Sequence, residues 1–419
     1  MRLRGKSRGY RSHLLAYFMA FIAIFITIAM VQYPKDAFDS AIMGLNLWWN
    51  VVFPSLLPFF ILSEILMGLG VVHFIGILLE PLMRPIFNVP GVGAFAMSMG
   101  LASGYPMDAV ITCKFRKSQL CSAVEAERLL SFTNTADPLF MFGAVAVGMF
   151  GMPEIGAVIA LSHYLSSFLV GFLFRFHGKS RDVYNKEERR TLKYIIPHAF
   201  NALYKAKMED KRPIGQLLGD SVKSSMHTIL LIGGFIILFS VFIRILSVIG
   251  VTDLLVGIFT SVLSSISFST NLAPALVSGL FEIDLGALAA SQADASLPEK
   301  VAVASAIIAW SGLSVHGQVA SIVIESGIRM MPYMVARLLH ALLAASLTIF
   351  FMSTPFYSVT ISNLFTVPAL FDLGASSSVL ASINRLEQTG LYIIILLSIF
   401  IALSMVVQII KDVYVAIRK

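Results

Sequence analysis

The chain has 419 residues, 57 % of them hydrophobic and 13 % charged, with a formal net charge of +7. A mean hydropathy of +0.83 excludes an ordinary soluble domain, in which about 25 % of residues are charged, and indicates an all-α polytopic membrane protein. The basic residues gather at 2–11, 175–223 and 411–419, the pattern of cytoplasmic loops rather than of a nucleic-acid surface, so the expected macroscopic partner is the lipid bilayer and no nucleic acid.

The first apolar run, 14–31, follows a basic head and is long for a signal sequence. No small-x-small cleavage site precedes Tyr33-Pro34, so it reads as an uncleaved span. A second span, 51–72, has the ~20 apolar residues a bilayer requires. The next stretch, 73–87, is amphipathic and interrupted by Pro81 and Pro85, as suits a helix in the interface. Residues 92–113 are rich in Gly, Ser and Ala and break at Ser103-Gly104-Tyr105-Pro106, which predicts a re-entrant hairpin. A helix over 118–131 runs into the break Phe132-Thr133-Asn134-Thr135-Ala136-Asp137-Pro138, because proline removes a backbone donor and disfavours helix just before it. An apolar half-helix over 139–150 and a span over 155–176 follow. Residues 175–223 read as a polar linker with a solvated helical stretch at 186–190.

The same order then recurs. Residues 225–249 predict a span, 251–264 an interfacial helix, and 271–291 a second hairpin around Ser278-Gly279. Residues 301–328 predict a helix broken across 311–318, and 331–352 another span. A polar loop, 353–388, leads to a last span at 391–410. The two hairpins carry related segments 175 residues apart, LASGYPMD at 101–108 and LVSGLFEID at 276–284, with three identities in the ten-residue windows that begin at Leu101 and Leu276. Starting from a cytoplasmic N-terminus, the predicted crossings place every basic cluster on one side and open the hairpins from opposite faces. The predicted architecture is therefore an inverted repeat with two re-entrant hairpins and two broken transmembrane helices. Its parts are a first helix and loop (1–48), one repeat (49–176), a basic cytoplasmic linker (177–223), the inverted repeat (224–353), and an extracytoplasmic loop with a C-terminal helix (354–419).

Backbone that leaves helical geometry at membrane depth survives only inside protein or beside a cavity, and paired breaks in two halves point to a carrier's central site. Ser103, Gly104, Asn134, Thr135, Ser278, Gly279, Ser314 and Gln318 are the candidates for its lining. Glycine lets backbone approach a ligand, and hydroxyls and amides give directional contacts. For Gly104 and Gly279, close helix packing is an equal reading. Carboxylates at depth are costly, so Glu282, Asp284 and Asp108 are candidates for coupling transport to H+ or Na+, Glu282 first. Asp108 and Asp137 also suit helix capping. His163 reads as a helix–helix hydrogen bonder, Glu64 as the partner of a basic residue, and Arg244 as a snorkelling side chain. The sequence contains no Walker loop, HExxH, GxSxG or metal-ligand spacing, so no enzymatic activity and no cofactor are expected. Cys113 and Cys121 read as small buried residues.

The runs PSLLPFFILSE at 54–64, LEPLMRP at 79–85, ASGYP at 102–106 and SFTN at 131–134 closely resemble the YlbJ (SpoVV) family of sporulation integral membrane proteins, and the likeness spans nearly the whole chain. That resemblance implies nucleoside-recognition (Gate) domains related to the core of concentrative nucleoside transporters. It also implies movement of dipicolinic acid from the mother cell across the outer forespore membrane. It assigns no ligand contact to a particular residue. Dipicolinate is a small planar dianion that half-helix N-termini, hydroxyls and Asn134 are expected to hold without a buried arginine. The alternatives are a carrier of a nucleoside or another small metabolite, and a non-transporting scaffold for spore assembly. A homo-oligomer is compatible with all of these.

Overall fold

A computed structural model of the chain describes residues 20–178 and 195–353, together with the isolated positions 17, 402 and 405–407. The predicted stretch at 186–190 and the polar loop at 353–388 fall outside the described residues, apart from Ser353, and the last span is described only as helix at 402 and 405–407.

Every described element is helical. Helices α1 (Ala20–Gln32) and α2 (Pro34–Leu47) meet at a bend, and a π-helical turn, Trp48–Val52, leads into α3 (Phe53–Gly68). Gly70 adopts φ +80, a left-handed conformation that costs glycine little, and the chain turns there by 83° into α4 (Val71–Phe87). The predicted span 51–72 is thus shorter than expected, because the backbone turns at Gly70. The first hairpin is α5 (Gly93–Ser103) and α6 (Met107–Lys117), followed by α7 (Ala123–Thr133), the π-helical segment Leu139–Met149, and α8 (Ile155–Phe174). An 11-residue helix is about 16 Å long, half the ~30 Å of a bilayer core, so each arm of this hairpin enters and returns without crossing.

The second half repeats the order. Helix α9 (Ile195–Glu209) precedes α10 (Ile214–Val248), which turns at Gly250 (φ +79) into α11 (Val251–Ser265). The second hairpin is α12 (Ala273–Phe281) and α13 (Ile283–Gln292), the broken helix is α14 (Leu297–Trp310) and α15 (Gly312–Val323), and α16 (Met330–Ser353) closes the repeat. The correspondence extends to the caps. Helix α7 starts at a Ser122/Glu125 capping box, and at the start of α14 the Glu299 carboxylate accepts from the Ser296 amide at 3.1 Å and its hydroxyl at 2.7 Å. Such Ser-x-x-Glu starts satisfy amides that have no partner within the helix. Among the described residues, α8, α10, α14–α15 and α16 are long and apolar enough to cross a membrane, and the bent pairs α1–α2 and α3–α4 bring the number to six.

Several boundaries differ from expectation. The helix predicted over 225–249 starts at Ile214 and runs 35 residues, so the last ten residues of the predicted linker, 214–223, form the first turns of α10. Part of that linker is α9, which packs on α4 through the Phe74–Phe200 ring pair at 4.9 Å. The second elbow lies at Glu282 rather than at Ser278-Gly279, and the second break lies at Ser311-Gly312, so that Ser314 and Gln318 are helical. Glycine alone therefore did not locate the elbow. Glu282 is extended (φ −142, ψ 133) and its own carboxylate accepts the Ile283 amide at 3.2 Å, starting a new helix.

Arg244 is half exposed, and its Nη2 and Nε donate to Asp36 at 2.6 and 2.9 Å. Glu64 pairs with Lys114 and accepts from Ser224 Oγ at 3.0 Å. Both cysteines are free and buried.

Candidate functional site: four backbone breaks around Asn134 and Arg337

The four breaks in the two repeats face one another. Gly104, at the first elbow, has φ +71, and a Cβ added there would lie 2.9 Å from Asp137 Oδ2 and 3.2 Å from its amide. Elbow one therefore sits directly on break one, and only glycine combines that dihedral with that approach. Gly312, at break two, has φ +66, and a Cβ there would lie 2.9 Å from the Phe281 carbonyl oxygen and 3.2 Å from the Glu282 amide. Break two sits on elbow two in the same way, and Trp310 Nε1 donates to the Leu280 carbonyl at 3.1 Å beside it.

Asn134 joins the halves. Its Nδ2 donates to Asp108 Oδ1 at 2.9 Å, and its Oδ1 accepts from Tyr333 OH at 3.1 Å and Ser311 Oγ at 3.5 Å. Its backbone carbonyl accepts from Arg337 Nη1. Asp108 also accepts from Thr133 Oγ1 at 3.3 Å.

Arg337 has 0 % relative exposure. Its Nη2 donates to the Ser131 carbonyl at 2.5 Å, its Nη1 also faces His340 Nδ1 at 3.0 Å, and the guanidinium lies 5.6 Å from the Tyr333 ring centroid. The carbonyls of Ser131 and Asn134 close the end of α7, where the last turn has no intrahelical donors and the helix dipole is negative. A planar, permanently charged donor fork fits that position. His340 Nε2 then meets the His163 carbonyl at 2.8 Å, and His163 Nε2 accepts the Ala136 amide at 3.0 Å. The histidines thus hold the break in place, as expected for His163.

The predicted residues divide into groups. Gly104, Asn134 and Glu282 lie on the meeting breaks, and Asp108, in the first turn of α6, accepts from Asn134. Thr135 lines a cavity of about 10 Å³ with Thr133, Tyr164 and Ser167, room for about one water molecule. Ser314 and Asp284 are electrostatic neighbours of the Glu282 carboxylate, and Gln318 Nε2 reaches Ser314 Oγ at 3.5 Å. Ser278 is inside α12, where its carbonyl accepts the Glu282 amide at 2.8 Å. Gly279 is packed, since a Cβ there would lie 2.5 Å from Ile307 and one on Gly286 would lie 2.3 Å from Gly279 Cα. Ser103 ends α5. Asp137 caps the segment after the break, accepting the Phe140 amide at 2.9 Å.

The sequence reading passed over Tyr105, Tyr333, Arg337 and His340, and its expectation of a site without a buried arginine is corrected by Arg337. The signal was available, since an arginine and a histidine three apart in an otherwise apolar 24-residue helix are costly at depth. Tyr105 has Asp284, Asp137, Glu282 and Tyr333 as electrostatic neighbours, which brings both elbows and the first break together. Among the described residues, the buried polar atoms of this region without a hydrogen-bond partner include Tyr105 OH, Glu282 Oε2, His316 Nε2 and Arg337 Nε. His316 is otherwise fixed, with Nδ1 2.6 Å from the Gly312 carbonyl and its ring 4.4 Å from Trp310.

Residues 49–161 match the Gate family, described as nucleoside recognition. Over 322 residues the chain is 47 % identical to the sporulation integral membrane protein YlbJ of Bacillus subtilis (strain 168), an alignment that covers 77 % of this chain and 79 % of that protein. The chain belongs to the YlbJ family. A solved structure of a doubly substituted CNTnw in an outward-facing state aligns with 78 % of this chain and 85 % of its own, at 13 % identity and a TM-score of 0.38. In this member of the YlbJ family the Gate match takes in α3, the first hairpin and the first break, and stops within α8. Asn134 therefore falls inside the matched region and Arg337 outside it.

Proposed function

We propose that this YlbJ-family protein is a secondary carrier that binds a small polar solute where the two elbows and two breaks meet, and that the solute is dipicolinate. The observation that carries the reading is the set of unpartnered buried polar atoms on these elements. A buried polar group without a partner costs about 1–3 kcal/mol, so a site that keeps several of them together is suited to a ligand that satisfies them. Arg337 supplies a permanent positive charge for a carboxylate, and the substrate class is the one the sequence resemblance implies. Asp108 stands near that guanidinium, and Asp137, Glu282 and Asp284 are neighbours of the Tyr105 hydroxyl, so carboxylates outnumber the one arginine. A dianion entering such a site requires compensating cations, which supports cotransport with H+ or Na+, with Glu282 carrying the coupling charge. The membrane concerned is the outer forespore membrane, with both termini in the mother-cell cytoplasm; the charge bias of the loops supports that orientation.

The same carboxylate excess favours a second reading, a neutral nucleoside as the solute. Uptake of labelled dipicolinate into proteoliposomes, with uridine as competitor, separates the two. Saturable dipicolinate uptake insensitive to uridine supports the first reading, and uptake suppressed by uridine supports the second. No flux of either solute leaves a scaffold. A Glu282→Gln variant whose uptake keeps its pH or Na+ dependence would remove the coupling role.

A further inference from the structure

Helix α9 lies in the segment that composition alone presents as a solvated basic linker, yet it has three distinct faces. One is packed against the protein: Ile195 and Ala199 are buried, and a Cβ on Gly70 would meet the Leu203 carbonyl at 2.6 Å and Ala206 Cβ at 3.1 Å, so α9 is seated on the elbow between α3 and α4. The second is a largely uncovered apolar stripe, whose Phe200 also meets Phe74 of α4 edge-on. Ile196, Phe200, Tyr204 and Met208 are 46, 59, 63 and 58 % exposed, and residues four apart on a helix advance only about 40° each, so the four share one side. The third, beside the stripe, carries Pro197, Asn201, Lys205 and Glu209, all exposed.

Two further observations identify what covers the stripe. Exposed apolar residues recur at four-residue spacing at the start of the next helix, where Ile214, Leu218 and Val222 are 68, 45 and 44 % exposed, and α10 is long and apolar enough to cross a membrane. Charge is the second. Lys205 and Lys211 are exposed at this end, and the preceding residues 179–194 contain six Lys or Arg against three Asp or Glu. A helix with an apolar stripe, a flanking polar face and basic surroundings binds at the boundary between acyl chains and headgroups, more strongly where the headgroups are anionic.

We infer that α9 lies in the plane of the membrane at the face bearing the basic linker, with Ile196, Phe200, Tyr204 and Met208 among the acyl chains and Lys205 and Lys211 among anionic phosphates. The bilayer itself then presses α9 onto Gly70, and the α3–α4 elbow becomes sensitive to the charge of the lipid.

The test uses the full-length chain, with Cys113→Ala and Cys121→Ala as background. Single nitroxide labels are introduced by Ile196→Cys, Phe200→Cys, Tyr204→Cys and Met208→Cys on the stripe, and by Asn201→Cys and Glu209→Cys on the polar face. Variants that elute as the parent does from a sizing column are reconstituted into phosphatidylcholine vesicles with or without phosphatidylglycerol, and accessibility to oxygen and to a water-soluble nickel complex is measured. The stripe positions are expected to favour oxygen and the polar positions nickel. Phosphatidylglycerol should raise the oxygen preference of the stripe several-fold, and Lys205→Gln with Lys211→Gln should abolish that increase. Equal nickel access at every position overturns the inference, as does a stripe shielded from both reagents, which would mean that protein covers it. A depth indifferent to phosphatidylglycerol overturns the anionic-headgroup contact.

Discussion

Replacing Arg337 by methionine removes the fork that holds the end of α7. In the native protein two carbonyls, Ser131 and Asn134, accept from its terminal nitrogens, and its charge stands near Asp108 through the Asn134 bridge. Methionine has comparable length but no donor, so both carbonyls are left buried without that partner and Asp108 loses its nearby cation. Breaking a buried charged network by removing one member costs about 3–5 kcal/mol. At roughly 2 °C per kcal/mol for a chain larger than a small domain, Arg337→Met is expected to lower the midpoint of thermal unfolding in detergent by about 6–10 °C. Arg337→Lys keeps the charge and loses the fork, so it should fall between the two. The network also predicts non-additivity. Adding Asp108→Asn to Arg337→Met removes the uncompensated carboxylate and should recover about 1–3 kcal/mol of the loss. An Arg337→Met midpoint within a degree or two of the parent, or strict additivity with Asp108→Asn, would refute the assignment of Arg337 as the clamp on the first break.

Four further outcomes are accessible by the same unfolding measurement or by uptake. Gly104→Ala meets both a positive φ and Asp137 at 2.9 Å, so it should cost about 1–3 kcal/mol and abolish uptake. Gly151→Ala, with φ +65 but open space around it, should cost about 1 kcal/mol and leave uptake intact. Glu127 accepts from Arg329 at 2.6 and 2.7 Å and meets His177 at 2.8 Å, tying α7 to the turn before α16. Because Arg329 is solvent-exposed and regains water, Glu127→Gln should cost only about 1–2 kcal/mol. Asp210, in the turn between α9 and α10, is held below the usual carboxylate value of 3.8 by hydrogen bonds from Arg212. A depressed folded value stabilises above the unfolded value and is lost as pH falls through the folded one. Asp210→Asn should therefore lower the unfolding midpoint at neutral pH, with the difference from the parent shrinking once the pH drops below about 4.

Some of this architecture was legible because membrane physics constrains sequence tightly. Long apolar runs, charge bias between loops, and the proline at 138 sufficed to order the spans and to place the first break, where Asn134 is non-helical as expected. The first elbow was also readable, because Gly104 followed by Tyr105-Pro106 excludes continued helix. The second elbow was not. Ser278 and Gly279 look like a break but are accommodated within α12, since Gly279 lets α12 and α13 approach closely, and the turn falls at Glu282 instead. Helix α9 was hidden for a related reason. Its lysines dominate the composition of the segment, and its apolar residues at every fourth position matter only once the fold shows which side is left uncovered.

The amino-acid order alone determined the class of protein, the order of its described helices and breaks, and the repeat, because each follows from local hydropathy, charge and backbone chemistry. Only the tertiary structure decided that Arg337, some 200 residues further along the chain than Asn134, closes the end of α7 and that the four breaks share one place. The partners in that network come from both repeats, and contacts between distant segments depend on how helices pack, which no local pattern encodes.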